Sequence, residues 1–203
     1  MIRTEIIRAY PRIWVDQFFS EIVFGWMCRD IEREIELQGR TGDAGNVLCA
    51  LALMTYTEFM GRQLPQSTRP CSKDEQHFNA FFRKLGSNYE KLMDDGVKVY
   101  DIFRCGLVHE YSVKKDCTIE MLNTPNKPFE VPGALNASGG RELSEFIRRP
   151  VACGIGIATN RSYYFVVEKY LEDFKKACEN LRNELNCSGT TRVINCRITS
   201  GSS

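Results

Sequence analysis

The chain has 203 residues, 43% of them hydrophobic, which suits one domain that buries about 70% of its unfolded surface without needing disulfides or metals. Its 27 basic and 26 acidic side chains leave a net charge of +1, so no bulk attraction draws it to a polyanion and any nucleic-acid contact rests on local patches. Nine cysteines, at 28, 49, 71, 105, 117, 153, 178, 187 and 196, include no CxxC pair and no flanking histidine at ligand spacing, and they read as reduced thiols.

The opening MIRTEIIRAYPRIW carries charges throughout and lacks a signal-peptide pattern. No stretch reaches the roughly 18 apolar residues of a membrane helix. The expected location is therefore the cytoplasm, with no membrane partner.

After Pro11, apolar residues at Val15, Phe18, Phe19, Ile22, Trp26, Ile31 and Ile35 predict a long helix that stops near 39-GRTGDAG-45. Asp43 is the expected N-cap of a second helix through Val47, Leu51, Met54 and Phe59 to Gly61. Ser72 with Glu75 forms a capping box for a third, through Phe78, Phe81, Phe82 and Leu85 to Gly86. A shorter piece at 87–94 follows, and a fourth substantial helix from Asp95 carries Val99, Tyr100, Phe103 and Leu107.

Beyond residue 111 the period changes. The run 117-CTIEML-122 alternates as a strand, 123-NTPNKPFEVPG-133 reads as a loop, and 141–149 reads as a polar helix. The runs 153-CGIGIA-158 and 162-SYYFVV-167 flank Thr159, Asn160 and Arg161 as a hairpin. A last helix, 168–185, places Tyr170, Phe174, Ala177, Cys178 and Leu181 on one face, and 188–203 is a polar tail. The expected fold class is mainly α: a single helical-bundle domain over 1–187 with a small β-hairpin and strand appendage at about 117–167.

The chemistry concentrates in 100-YDIFRCGLVHEY-111. At about 100° per residue, Tyr100, Phe103 and Leu107 share one face, while Ile102, Cys105 and His109 share the opposite one. With small Cys105 and Gly106 on the second side, this helix is expected to approach another helix there, with His109 at the contact. A helix C-terminus favours a protonated imidazole, and histidine exchanges protons near neutral pH. Arg104 offers a planar cationic fork suited to phosphate, and Tyr111 a phenol.

A base for the ribose 2′-OH, an acid for the leaving 5′-oxygen and a cation for the phosphorane are what metal-free phosphodiester cleavage requires. One chain supplies one such histidine, and a twofold dimer supplies two.

Plainer roles exist for the same residues. Arg104 is able to pair with Glu110 or Asp101 at the surface, Cys105 to pack as a small thiol, and His77 to sit solvated at a polar helix start. Glu110 beside His109 lacks the HExxH pattern of a metal site, and the glycines of 153-CGIGIATN-160 lack GxGxxG, so neither a metal nor a nucleotide cofactor is expected. Close backbone packing of a strand explains those glycines better. The basic pairs Lys114–Lys115, Arg148–Arg149 and Lys175–Lys176 read as solvated, although Lys114 and Lys115 directly follow the stretch and are placed to extend an RNA-binding rim.

Arg104-Cys105-Gly106-Leu107-Val108-His109-Glu110-Tyr111 resembles the R-x4-H-x-Y motif of the HEPN superfamily (higher eukaryotes and prokaryotes nucleotide-binding domains). The resemblance covers eight residues. It implies a HEPN-like helical bundle and a metal-independent endoribonuclease, with a composite site at a homodimer interface acting on single-stranded or loop RNA. Arg104 and His109 would be the catalytic pair, with Tyr111 in the same pocket. In toxins of this type the matching tyrosine is nucleotidylated by an antitoxin, a minimal nucleotidyltransferase, which makes Tyr111 the corresponding position here. Many active members carry a polar residue after the arginine, where this chain has Cys105. The alternative of a different class is a non-catalytic nucleotide-, RNA- or protein-binding module that retains the motif as architecture.

Overall fold

The computed structural model describes residues 14–41, 45–64, 74–121 and 128–187. Helix α1 runs as an α-helical turn Val15–Gln17, a π-helical stretch Phe18–Cys28 and an α-helix Arg29–Thr41. Helices α2 (Asn46–Gly61), α3 (Asp74–Lys84) and α4 (Ser87–Asp94) follow. Helix α5 opens as a π-helical stretch Tyr100–Cys105 and finishes as an α-helix Gly106–Glu110, and α6 is Val167–Cys187. Between α5 and α6 lie β1 (Cys117–Glu120), β2 (Phe129–Val131), β3 (Glu145–Ile147), β4 (Ile155–Ile157) and β5 (Tyr163–Val166). The fold is mainly helical with small sheets, as the sequence pattern leads one to expect.

The π-helical stretch decides which side of α1 is buried. A 3.6-residue period continues from Phe18 and Phe19 to Ile22 and Trp26, but the wider π turn advances four to five residues at a time. Val23, Met27 and Cys28 therefore point inward, and Ile22 and Trp26 are only half-buried. In α2 the buried side chains include Cys49, Ala50, Leu53, Met54, Thr57 and Glu58. The Thr57 hydroxyl donates to Leu53 O at 2.8 Å and lies 2.8 Å from the Tyr170 hydroxyl of α6, so two buried polar groups satisfy each other. Tyr89 of α4 donates to Asp173 at 2.7 Å and accepts the Gly154 N–H at 2.7 Å, tying α4, α6 and the chain before β4 into one unit.

The expected hairpin is present as antiparallel β4 and β5, and β5 also pairs in parallel with β1, Cys117 opposite Tyr163, to give the order β1-β5-β4. This sheet contributes Ile155 and Phe165 to the same core as the helices, with the Phe165 ring stacked 5.0 Å from Tyr170. The close packing expected of the 153–158 glycines holds at Gly154, where a Cβ would lie 2.5 Å from Tyr170.

Two expectations fail. The predicted loop at 123–133 contains strand β2, and the predicted polar helix at 141–149 is replaced by β3, antiparallel to it with Phe129 opposite Ile147. Phe129 and Val131 alternate inward around exposed Glu130, and aromatic and β-branched residues at 146–147 suit a pleated strand, so cross-strand packing overrides the weak helical pattern. The fourth helix also starts later than Asp95, which instead closes α4. The Asp43 cap, the Ser72 capping box and the 188–203 tail lie outside the described residues. No helix among the described residues is long and apolar enough to cross a membrane.

Candidate functional site

Helix α5 positions the motif. Its π-helical stretch buries Ile102 and Phe103, and Arg104 is left 15% exposed at the edge of α2. There Arg104 Nε lies 2.7 Å from Glu58 Oε2, whose side chain is 5% exposed. The contact is a Coulombic pair without hydrogen-bond alignment. The other Glu58 oxygen takes Arg62, which in turn reaches Asp74 at 2.8 Å. The Arg104 guanidinium also sits over the Tyr100 ring, 5.6 Å from its centroid. Two fixed contacts thus set its direction, while its Nη atoms make no hydrogen bond among the described residues.

Arg104 pairs with Glu58 rather than Glu110 or Asp101, and Asp101 binds Lys114 Nζ at 2.8 Å. That hydrogen bond pushes the Lys114 ammonium up and holds the Asp101 carboxyl below its ordinary range. A signal for Glu58 exists in the sequence: it is the one charged residue of 46-NVLCALALMTYTEFMG-61, and a lone charge in an apolar helix needs a partner.

The end of α5 is built from the chain that follows it. Tyr111 adopts a left-handed conformation, φ 52°, and its N–H donates to Gly106 O, so the helix stops there. A tyrosine in that region costs about 1 kcal/mol relative to glycine. The chain then folds back, and Lys114 N–H donates to Ile102 O at 3.1 Å. This return needs Gly106, whose Cβ would lie 2.5 Å from Ser112 O.

The second apolar face expected for a partner helix is therefore occupied by the protein itself. Ile102 is 7% exposed and belongs to the core, Cys105 is half-buried, and Gly106 is covered by 112–114. The π turn rotates Ile102 inward, away from the line it shares with His109 on an ideal α-helix.

What this end of α5 does expose is Val108, His109, Glu110 and Tyr111, the last at 63%. His109 makes no hydrogen bond or ion pair among the described residues, and none joins it to Arg104 or Tyr111 within the chain. Lys115 is exposed beside Lys114. Elsewhere, His77 is half-buried rather than solvated, and Arg149 is not a surface cation: its side chain is 3% exposed, 5.2 Å over the Phe129 ring and 3.4 Å from Glu120.

The site therefore offers an oriented guanidinium at the base of a short helix, with an exposed imidazole and an exposed phenol at its tip. The chain matches no protein-family model, no curated protein and no solved structure.

Proposed function

We propose that this chain is a metal-independent endoribonuclease of HEPN type that acts as a homodimer on single-stranded or loop RNA. The observation that carries the reading is the split environment of the motif. Arg104 is directed by buried Glu58 and the Tyr100 ring with its Nη atoms free of hydrogen bonds among the described residues, while His109 and Tyr111 stand exposed five and seven residues on. A phosphate requires an oriented cation, and proton transfer requires an imidazole that substrate can reach.

In this reading His109 of one protomer takes the proton of the ribose 2′-OH. The oxygen attacks the adjacent phosphorus, Arg104 stabilises the phosphorane, and the symmetry-related imidazole gives a proton to the departing 5′-oxygen. The products carry 2′,3′-cyclic phosphate and 5′-OH ends. Because Ile102 and Gly106 are covered, the dimer contact forms through the exposed helix tip at Val108, His109 and Tyr111. Tyr111, exposed at the same tip, is also open to nucleotidylation by an antitoxin, which would silence the site by bulk and charge.

The buried Arg104–Glu58 pair favours a second reading, in which the motif is architecture and the chain is a binding module. One experiment separates the two: purified protein is incubated with single-stranded RNA in EDTA, alongside His109→Ala, and its mass in solution is determined. Cleavage by a dimer that is lost in His109→Ala supports the nuclease. Equal cleavage by both proteins, or none by either, rejects it.

A further inference from the structure

A cleft of about 830 Å³ opens where the chain leaves the motif. Its walls are the segment 113–116, the loop around 134–142 and the β4–β5 turn, with Tyr163 also on the wall, packed edge-on to Phe103 at 5.6 Å. The volume falls in the range of sites that hold small organic ligands.

Three cations line the cleft: Lys114, Lys115 and Arg161. Lys114 is committed to Asp101. Lys115 and Arg161 are exposed and carry no ion pair among the described residues. Of the two acids on the wall, Asp116 is engaged by Arg141 at 3.5 Å and by the Leu135 N–H at 2.8 Å, which leaves Glu142 alone against two uncommitted cations. The same walls expose Leu135 and Ile157, 58% and 43% accessible, so apolar and cationic surface face one space.

Arg161 is placed there at a backbone cost. Its φ of 64° lies in the left-handed region that favours glycine, an expense of about 1 kcal/mol for arginine. The turn around it is over-determined. Asn160 Nδ2 donates to Val131 O and Leu143 O, both at 3.2 Å, its Oδ1 accepts the Ser162 N–H at 3.0 Å, and the Arg161 N–H donates to Ala158 O at 2.9 Å. A position where glycine would relax the chain instead carries a guanidinium on the wall of a cleft.

We propose that this cleft binds a nucleotide unit, its phosphate between Lys115 and Arg161 and its base against Leu135 and Ile157. The unit belongs either to an RNA strand that continues from the helix tip or to a free nucleotide. The strand version rests on the ribonuclease reading above; the cleft's preference for phosphate and base does not.

The test uses the full chain and two probes, a fluorescein-labelled 2′-O-methyl RNA dodecamer, which lacks the 2′-OH needed for cleavage, and ATP. Affinities are measured for wild type, Lys115→Ala, Arg161→Gly and, as a control, Lys176→Ala on the exposed face of α6. Losing one charge-assisted contact is expected to weaken binding about 10-fold in Lys115→Ala and in Arg161→Gly, and to lower the dodecamer's salt slope by about 1, while Lys176→Ala binds as wild type. Because Arg161→Gly relieves backbone strain, its melting temperature is expected to match or exceed that of wild type, so weaker binding is not a folding defect.

Dodecamer binding without ATP binding assigns the strand. ATP binding that displaces the dodecamer assigns the free nucleotide. Wild-type affinity for both probes in Lys115→Ala and Arg161→Gly, or no binding of either probe by wild type, overturns the proposal. RNA cleavage that depends on His109 while both cleft variants bind normally removes the cleft and leaves the nuclease. Arg161-dependent binding with no cleavage removes the nuclease and leaves the cleft.

Discussion

Arg104 of helix α5 and Glu58 of helix α2 meet with Nε 2.7 Å from Oε2, both largely shielded from water. Removing one member of such a pair strands the other, which typically costs about 3 kcal/mol or more. Here exposed Arg62 also reaches Glu58 and softens that cost. Glu58→Gln is expected to lower unfolding free energy by about 2 kcal/mol, read as a shifted urea midpoint with unchanged slope. On the proposed ribonuclease reading it also lets the guanidinium swing, so RNA cleavage should fall by more than the folded fraction does. Unchanged stability in Glu58→Gln would mean that the pair contributes nothing.

In the proposed ribonuclease, Tyr111 would set stability against function. It ends α5 in a left-handed conformation while 63% exposed, so glycine relieves strain and loses little packing. Tyr111→Gly is expected to stabilise the fold by about 0.5 to 1 kcal/mol in thermal unfolding and to remove the phenol from the site. A variant that is both less stable and fully active would show that Tyr111 is a packing residue.

Gly106 is required for a different reason. Any Cβ there meets the backbone oxygen of Ser112, which cannot rotate away as a side chain would. Gly106→Ala is expected to cost about 1 to 3 kcal/mol and to displace the segment that carries Lys114 and Lys115. Wild-type stability in a urea titration of Gly106→Ala would refute that close approach.

How much of this was readable beforehand depended on the period of the backbone. The buried face of α3, the 153–167 hairpin and the face of α6 follow ordinary 3.6- and 2-residue patterns, and they lie where the pattern puts them. The burial of Val23 and Met27 in α1 and of Ile102 in α5 could not be read that way, because π-helical turns rotate side chains off the ideal face and the sequence gives no direct sign of them. Strand β3 is masked by the polar residues that flank it in 141–149, and its stability comes from pairing with β2. The position of the histidine and tyrosine at the end of the helix is legible, but the face that His109 is expected to share with Ile102 is not there. The partner of the motif's arginine leaves only a faint sign, because a long-range ion pair shows in the sequence as no more than the oddity of one glutamate in an apolar helix.

Buried thiols give the fold an alkaline limit. Burial pushes Cys28 and Cys49 up from 9.0 to about 12, so above pH 9 the unfolded chain releases protons that the folded chain retains. A raised folded pKa is stabilising below the unfolded value, and that stabilisation drains away as pH rises from 9 toward 12. The melting temperature is expected to fall between pH 9 and 10, before tyrosines of the unfolded chain ionise, and to fall less in Cys28→Ala when each protein is referred to its own pH 8 value. A flat profile to pH 10 in wild type would contradict the burial of these thiols.

Proton transfer by His109 in phosphodiester cleavage, as proposed, is tested by mass spectrometry of the 3′ ends formed when purified protein cuts a defined single-stranded RNA in EDTA. Wild type is expected to leave 2′,3′-cyclic phosphate ends, and His109→Ala no product at equal folded concentration. Fragments ending in 3′-OH, or the same cyclic ends at the same rate from His109→Ala, would contradict it.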